Sequence, residues 1–438
     1  MLKSSKSIES RRRSPWQWVP TLYFAQGLPY VAVMTISVIM YKRLGISNAD
    51  IALYTSWLYL PWVIKPVWGP IVDMFRTKRW WIVVMELCIA VGFAGIAFTL
   101  PASFYFQATL AIFWAVAFLS ATHDIAADGF YMLGLDEHQQ SFYVGIRSTF
   151  YRVATIVGQG ALVVVAGYIE GFNDKQAPGD SFDYTPLAWM TVMGILSVFF
   201  LLVSLYHFYA LPRPVSDHAL KGVTRHNVVK EFVDTFLSFF RKPGVGIAIA
   251  FMLLYRLPEA QLVKLINPFL LDSRHAGGLG LSTAQVGIVY GTIGIIGLTL
   301  GGIIGGIVVA RGGLKKWLWP MAWSISLTCG TFLYLAVVQP SDMLSINLCV
   351  FIEQFGYGFG FTAYMLYLIY FSEGPSRTAH YAMCTGFMAL GMMLPGMVSG
   401  WLQEMMGYVG FFWWIMGCCA VTIAVTAFIK VPSGFGRK

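Results

Sequence analysis

Residues 69–79 read Gly-Pro-Ile-Val-Asp-Met-Phe-Arg-Thr-Lys-Arg, and residues 306–316 read Gly-Ile-Val-Val-Ala-Arg-Gly-Gly-Leu-Lys-Lys. Each is a basic turn between two long apolar runs, with the same spacing from glycine to the basic cluster. Gly69 permits close helix contact, and Asp73 is placed to interact with a neighbouring helix N-terminus. Arg76, Lys78 and Arg79 suit the headgroups of the inner leaflet. The second copy has Ala310 where the first has Asp73. A turn that recurs at the matching place later in the chain marks a duplication.

The sequence around these turns is apolar. Of 438 residues, 57% are hydrophobic and 12% charged, and the mean hydropathy is +0.65. Soluble domains carry roughly 25% charged residues. Apolar runs of about 20 residues, long enough to cross hydrocarbon, recur along the chain. Backbone polar groups in lipid must pair internally, and the absence of period-2 alternation selects helices over a barrel. The reading is an all-α integral membrane protein.

Twelve spans are expected, near residues 17–41, 49–70, 80–100, 104–131, 141–169, 186–211, 244–271, 283–310, 315–338, 343–371, 377–402 and 408–430. The organisation is therefore a basic N-terminal segment (1–16), a six-helix half (17–211), a connector (212–243), a second six-helix half (244–430) and a short tail (431–438). With the N-terminus inside, the inner segments carry 21 of the Lys and Arg residues and the outer segments four: Lys42, Arg43, Lys175 and Arg274. That asymmetry puts both termini in the cytoplasm. It also explains the net charge of +9 without a nucleic-acid partner. No signal peptide is expected, since Arg11, Arg12 and Arg13 precede a full-length span with no cleavage pattern behind it. Trp16, Trp18, Trp80, Trp81, Trp317 and Trp319 are expected at the interface. All six cysteines lie in apolar runs without metal-site spacing and read as packing residues.

Charges inside spans are costly and point to a cavity or a partner. Span 4 holds His123, Asp124 and Asp128, the two carboxylates lying i,i+4 on one face. Span 5 holds Arg147 and Arg152. If the two spans form a hairpin turning near His138, Asp124 lies level with Arg152 and Asp128 with Arg147. The arginines are five residues apart, roughly 140° around the helix, so one pair is expected close and the other loose. Structural pairing and a role in coupling both stand as readings. In span 7, Arg256 and Glu259 are spaced to pair locally, and Pro258 beside them predicts a bend. Span 10 holds Glu353 and Gln354, followed by Gly356, Gly358 and Gly360, which read as packing surface. Glu353 has no evident local partner. Lys65, between Pro61 and Pro66, either snorkels to the inner face or enters a cavity. Glu86 carries the same ambiguity, and His207 reads as interfacial. Gln26, Tyr30, Tyr59 and Tyr357 add hydroxyls, amides and aromatic faces suited to a sugar or peptide-sugar ligand.

The basic turn at Gly69 resembles the loop signature of the major facilitator superfamily, where it acts as a conformational gate. Phe24-Ala-Gln-Gly-Leu-Pro29, Lys65 to Asp73, Ala121-Thr-His-Asp-Ile-Ala-Ala-Asp128, Tyr151-Arg152, Tyr255 to Ala260, Glu353 to Gly360 and Pro395 to Trp401 resemble, in order, the AmpG muropeptide permeases. The likeness covers nearly the whole chain. It implies a major facilitator fold of twelve helices as two six-helix pseudo-repeats, and proton-driven uptake of anhydromuropeptides from periplasm to cytoplasm across the bacterial inner membrane. The implied partners are a small solute, protons and lipid, with no cofactor or metal and the chain acting as a monomer. It also implies roles in coupling or in the substrate cavity for Asp124, Asp128, Arg152, Glu259 and Glu353. Two features depart from enterobacterial members: His123 replaces an amide, and Gly-Phe-Tyr follows Asp128. Those members also carry two further C-terminal helices. A same-fold carrier of another solute, such as an acyl-CoA, siderophore or drug, is the second reading. A membrane enzyme or receptor finds no zinc-protease, paired-cysteine or nucleophile motif in support.

Overall fold

The computed structural model describes residues 14–176, 182–214, 217 and 225–437; within it, the side chains at 70, 71, 73, 74, 137, 138, 141, 144 and 225–232 lie outside the description. Lys3, Lys6, Arg11, Arg12 and Arg13, the side chains of Arg225 and Lys230, and the carboxylate of Asp73 therefore fall outside the described residues.

Several helices begin where the sequence supplies a cap at a membrane edge. Ser47 accepts from the Asp50 amide and opens span 2. Thr77 accepts from Trp80 and opens span 3 (Lys78–Thr99). Asp136 with Gln139, and Ser282 with Gln285, form capping boxes that open spans 5 and 8. Each cap satisfies amides that would otherwise enter hydrocarbon unpaired. The remaining spans run Pro15–Arg43, Tyr105–Gly134, Tyr184–Ala210, Val245–Leu271, Leu314–Val338 and Met343–Ser372. Spans 11 and 12 share one continuous stretch, Arg377–Ala427, broken only at Gly407 (φ 67°). A connector helix, Arg225–Phe240, lies between the halves.

Several spans are broken near their middle. Span 2 divides into Asn48–Trp57 and Leu60–Phe75, with a proline in the first turn of the second piece. Span 7 divides at Tyr255 and Arg256, with Pro258 beginning the second piece, as the bend expected there requires. Spans 1, 5 and 8 contain π turns at Ala32–Ile36, Ile156–Leu162 and Val289–Gly294. Among the described residues, nine helices are long and apolar enough to cross a membrane. Phe98 is 82% exposed and Leu344 78% exposed, which suits side chains bathed in acyl chains and not in water.

The two halves meet at two seams, span 2 against span 11 and span 5 against span 8. Both seams close at their outer ends by backbone contact. A Cβ on Gly400 would lie 2.1 Å from the Asn48 carbonyl oxygen, and one on Gly291 2.0 Å from that of Gln159. A Cβ on Gly167 would lie 2.2 Å from the Ala284 nitrogen. Small residues at helix interfaces allow this approach. The glycines of span 10 serve the same purpose: a Cβ at Gly358 would meet the Leu298 oxygen at 2.2 Å and one at Gly360 would meet Ile325 at 2.5 Å. Gly69 differs. A Cβ there meets nothing within 4 Å, because the inner end of span 2 borders open space. The close contact expected at that glycine is not made in this conformation.

Trp18 also departs from expectation. It is fully buried and packs edge-to-face on Phe130 at 5.2 Å instead of sitting at the interface. Trp16, Trp80 and Trp319 are exposed as expected.

Replacing Gly291 with alanine is expected to force the outer seam between spans 5 and 8 apart, at a cost of about 1–3 kcal/mol. Thermal unfolding of the purified protein would show a lower midpoint; an unchanged midpoint would mean the seam relaxes freely.

Candidate functional site

A cavity of about 980 Å³ lies between the halves. Its depth is lined by Tyr30, Tyr59, Trp62, Lys65, Asp124 and Arg256, and its mouth by Arg76, Lys78, Asp217 and Thr235 on the basic face. A side chamber of about 340 Å³ adjoins it between spans 1, 4, 5 and 8, sharing Asp124, Asp128 and Arg147.

The two aspartates of span 4 form the charged centre. Asp124 receives Lys65 Nζ from span 2 and the Gln26 amide from span 1. Lys65 therefore enters the cavity instead of snorkelling. Asp128 pairs with Arg147 Nη2 at 2.9 Å and accepts the Tyr23 hydroxyl at 3.2 Å. The Arg147 guanidinium also lies 4.4 Å from the Tyr23 ring centroid and 5.1 Å from that of Tyr131. One of the two ion pairs expected between spans 4 and 5 is thus made. The other is not: Arg152 points to Thr299 Oγ1 of span 8 at 3.2 Å, and Lys65 takes its place on Asp124. The 140° between the arginines leaves Arg152 facing the opposite half.

The second half contributes a less evenly matched set. Arg256 does not form the ion pair expected with Glu259. Its Nη2 donates to the Tyr357 hydroxyl at 2.5 Å, and its guanidinium carbon lies 4.8 Å from the Phe361 ring centroid. The break in span 7 turns Arg256 towards span 10. Glu259 is buried, and its Oε2 meets no hydrogen-bond partner among the described residues. Glu353, also buried, accepts from Gln354 Nε2 at 2.7 Å, a local partner that the sequence reading did not assign. Lys264 is buried and donates to Thr55 Oγ1 of the first half at 3.0 Å, with its Nζ 5.1 Å from the Tyr59 ring centroid.

His123 turns away from the cavity. Its Nε2 lies 3.2 Å from Glu86 Oε1, which His207 Nδ1 also approaches at 2.7 Å. His207 Nε2 in turn meets Thr21 Oγ1 at 2.9 Å. His207 and Glu86 are fully buried, so the interfacial reading of His207 is overturned. Its partner is 121 residues distant, and only packing reveals it.

On the basic face, Lys78 and Arg79 direct their backbone amides to the Asp217 carboxylate of the connector at 2.7 and 3.1 Å. The Arg79 side chain reaches the Phe208 carbonyl at the end of span 6. Arg76 lies over the Trp80 ring at 5.7 Å.

The sequence reading missed the opposite end. There, Lys42 pairs with Asp272 at 2.6 Å across the halves and donates to Asn48 at 2.8 Å. Asn48 donates to Gln403 at 2.7 Å, and Tyr408 donates to Asp272 at 2.6 Å. Beside this clamp, Glu170 accepts from Arg43 and Trp189, each at 2.9 Å, and from Thr283 of the second half. Lys42 and Arg43 registered only as outer loop charges. Glu170 near the end of an apolar run was the available signal, but its partner in the other half was not.

A family model described as the Major Facilitator Superfamily matches residues 21–383. The chain belongs to that superfamily. It is 24% identical over 406 residues to a putative transporter AmpG 4 of Rickettsia conorii, covering 89% of this chain and 90% of the relative. It is 24% identical over 405 residues to the anhydromuropeptide permease of Escherichia coli, covering 89% of this chain and 74% of that protein. Among solved structures, the nucleoside transporter NupG superposes with a TM-score of 0.69 at 16% identity, covering 95% of this chain and 99% of that one. A D-xylose–proton symporter superposes with a TM-score of 0.68 at 15% identity, covering 96% and 98%. The fold of this superfamily member is therefore a transporter fold of twelve helices in two six-helix halves, and the protein is a multi-pass membrane transporter.

Two outcomes follow for this superfamily member. Asp272→Asn removes the carboxylate whose two oxygens receive Lys42 and Tyr408, and outer-face labelling of a Ser56→Cys variant is expected to rise several-fold; unchanged labelling would show that the glycine seams alone hold the outer side shut. Glu86→Ala strands two buried histidines and is expected to cost about 3–5 kcal/mol, read as a lowered unfolding midpoint.

Proposed function

We propose that this transporter imports anhydromuropeptides, amino-sugar peptides of cell-wall turnover, from periplasm to cytoplasm across a bacterial inner membrane, driven by protons. The observation that carries the proposal is the cavity: open on the basic face, clamped on the other, and lined by aromatic rings with paired and unpaired charges. Tyr30 and Trp62, 5.2 Å apart and edge-to-face, offer the apolar faces that a sugar ring stacks on. The name of the Escherichia coli relative supports this solute class.

Two buried acids, Glu259 and Glu353, stand in the second half without a cation paired to either by a salt bridge among the described residues. Protonation from the outside would neutralise them in hydrocarbon, and release to the inside would restore the charge. Asp124 acts differently, because Lys65 and Gln26 hold it and a solute must compete for those donors. Arg256 and Tyr30 complete the proposed cavity lining, while Gln354 is buried outside it and holds Glu353. Gly69, Asp73, Arg76, Lys78 and Arg79 form the proposed inner gate. Opening the outer side means breaking the Lys42 clamp, whose hydrogen bonds contribute about 1 kcal/mol each. Solute and proton together supply the differential binding that the change requires.

Uptake of labelled GlcNAc-anhydromuramyl peptide into proteoliposomes is expected to concentrate the solute only with an acidic outside. Glu353→Gln is expected to lose at least about tenfold of that accumulation while retaining exchange of solute across the membrane. Accumulation by Glu353→Gln that still collapses with an uncoupler would place the proton site elsewhere. No uptake by folded wild-type protein would move the assignment to another solute.

A further inference from the structure

The side chamber holds a cation that no carboxylate among the described residues neutralises. Of the charged residues lining it, Asp124 is matched by Lys65 and Asp128 by Arg147. Arg152 remains. Its one hydrogen bond runs from Nη1 to Thr299 Oγ1 at 3.2 Å, and among the described residues no carboxylate lies within ion-pair distance. The Thr299 hydroxyl proton is already committed to the Ile295 carbonyl at 2.7 Å, so Thr299 meets Arg152 only as a neutral acceptor. A guanidinium has five N–H donors in a planar fork. Most of this fork is left for a ligand.

We propose that Arg152 forms an anion subsite in the side chamber and binds a carboxylate at one end of the transported solute. This rests on the reading of the cavity as the solute site and names what one end of that solute must carry. One net positive charge matches one carboxylate, and the fork geometry of arginine suits bidentate capture. The chamber, about 340 Å³, lies at the small end of the range for ligand pockets, so it takes a terminus while the larger cavity takes the body. Ser148, Tyr151 and Thr155 supply hydroxyls around the same space. Arg152 also touches both halves, through its own span and through Thr299 of span 8. A carboxylate drawn onto it competes with Thr299 and is felt at the seam between spans 5 and 8.

The test uses the full-length protein in nanodiscs of phosphatidylcholine alone, which excludes anionic headgroups as the ligand. Ser148→Cys in a Cys88→Ser background places one reactive thiol in the chamber, since the other five cysteines are buried. N-acetyl-dialanine is expected to slow thiol labelling about fivefold, and its C-terminal amide less than about twofold, because only the acid forms charge-assisted bonds. Adding Arg152→Gln should erase the difference, and Arg152→Lys should keep part of it. Equal protection by acid and amide, no protection by either, or protection that survives Arg152→Gln would each overturn the assignment. If acid-specific protection holds while wild-type protein fails to take up muropeptide, the carboxylate subsite stands and only the muropeptide reading falls.

Discussion

Two aspartates one helical turn apart cannot both stay ionised inside a membrane unless each brings its own cation. The first half is arranged around that condition. Asp124 draws Lys65 from span 2 and an amide from span 1; Asp128 draws Arg147 from span 5 and a hydroxyl from span 1. Three helices, spans 1, 2 and 5, are thereby tied to one face of span 4. The result is a polar centre that is electrically matched and fixed in position. Its conjugate is the second half, where Arg256, Glu259, Glu353 and Lys264 are buried without salt bridges to one another among the described residues. A matched pair of aspartates is held in place, and the unmatched acids of the second half can change their charge. The asymmetry suits a machine in which one half is the frame and the other responds.

The halves are joined by different means at the two faces. On the outer side, glycines bring backbone against backbone, and side-chain pairs such as Lys42 with Asp272 lie over the seam. Backbone contact of this kind is short-ranged, and a gap of about 1 Å already forfeits up to about half of it. It behaves as a catch that is either made or broken. On the inner side the basic turn engages the connector, through Asp217, and the end of span 6, and leaves the cavity mouth open. The same residues on an intact inner gate would have to exchange those partners.

Much of this was legible in the sequence. Twelve spans, their duplication and their orientation follow from apolar length and the distribution of Lys and Arg, because the bilayer imposes both. The cavity carboxylates were legible because charge in a span is costly enough to be conspicuous. Pairings were less so. Helical spacing placed Asp128 with Arg147 correctly, but it could not foresee Lys65 on Asp124, since that contact depends on how span 2 bends at its proline. The Arg256–Glu259 pair failed for a related reason: local spacing presumes a regular helix, and span 7 is broken at Arg256. The outer clamp and the Glu86–histidine cluster join residues far apart in the chain. No periodicity within a single span encodes them.

Gly407 is the single residue between spans 11 and 12, held at φ 67°. Gln403, Glu404 and Tyr408 flank it, and all three reach span 2 or Asp272. With no slack in the turn, the two helices are mechanically one bent rod, and strain at its corner travels down both arms to the lipid-facing surface. Any displacement of either helix is therefore passed through that corner to the Asn48 and Asp272 contacts of the outer catch.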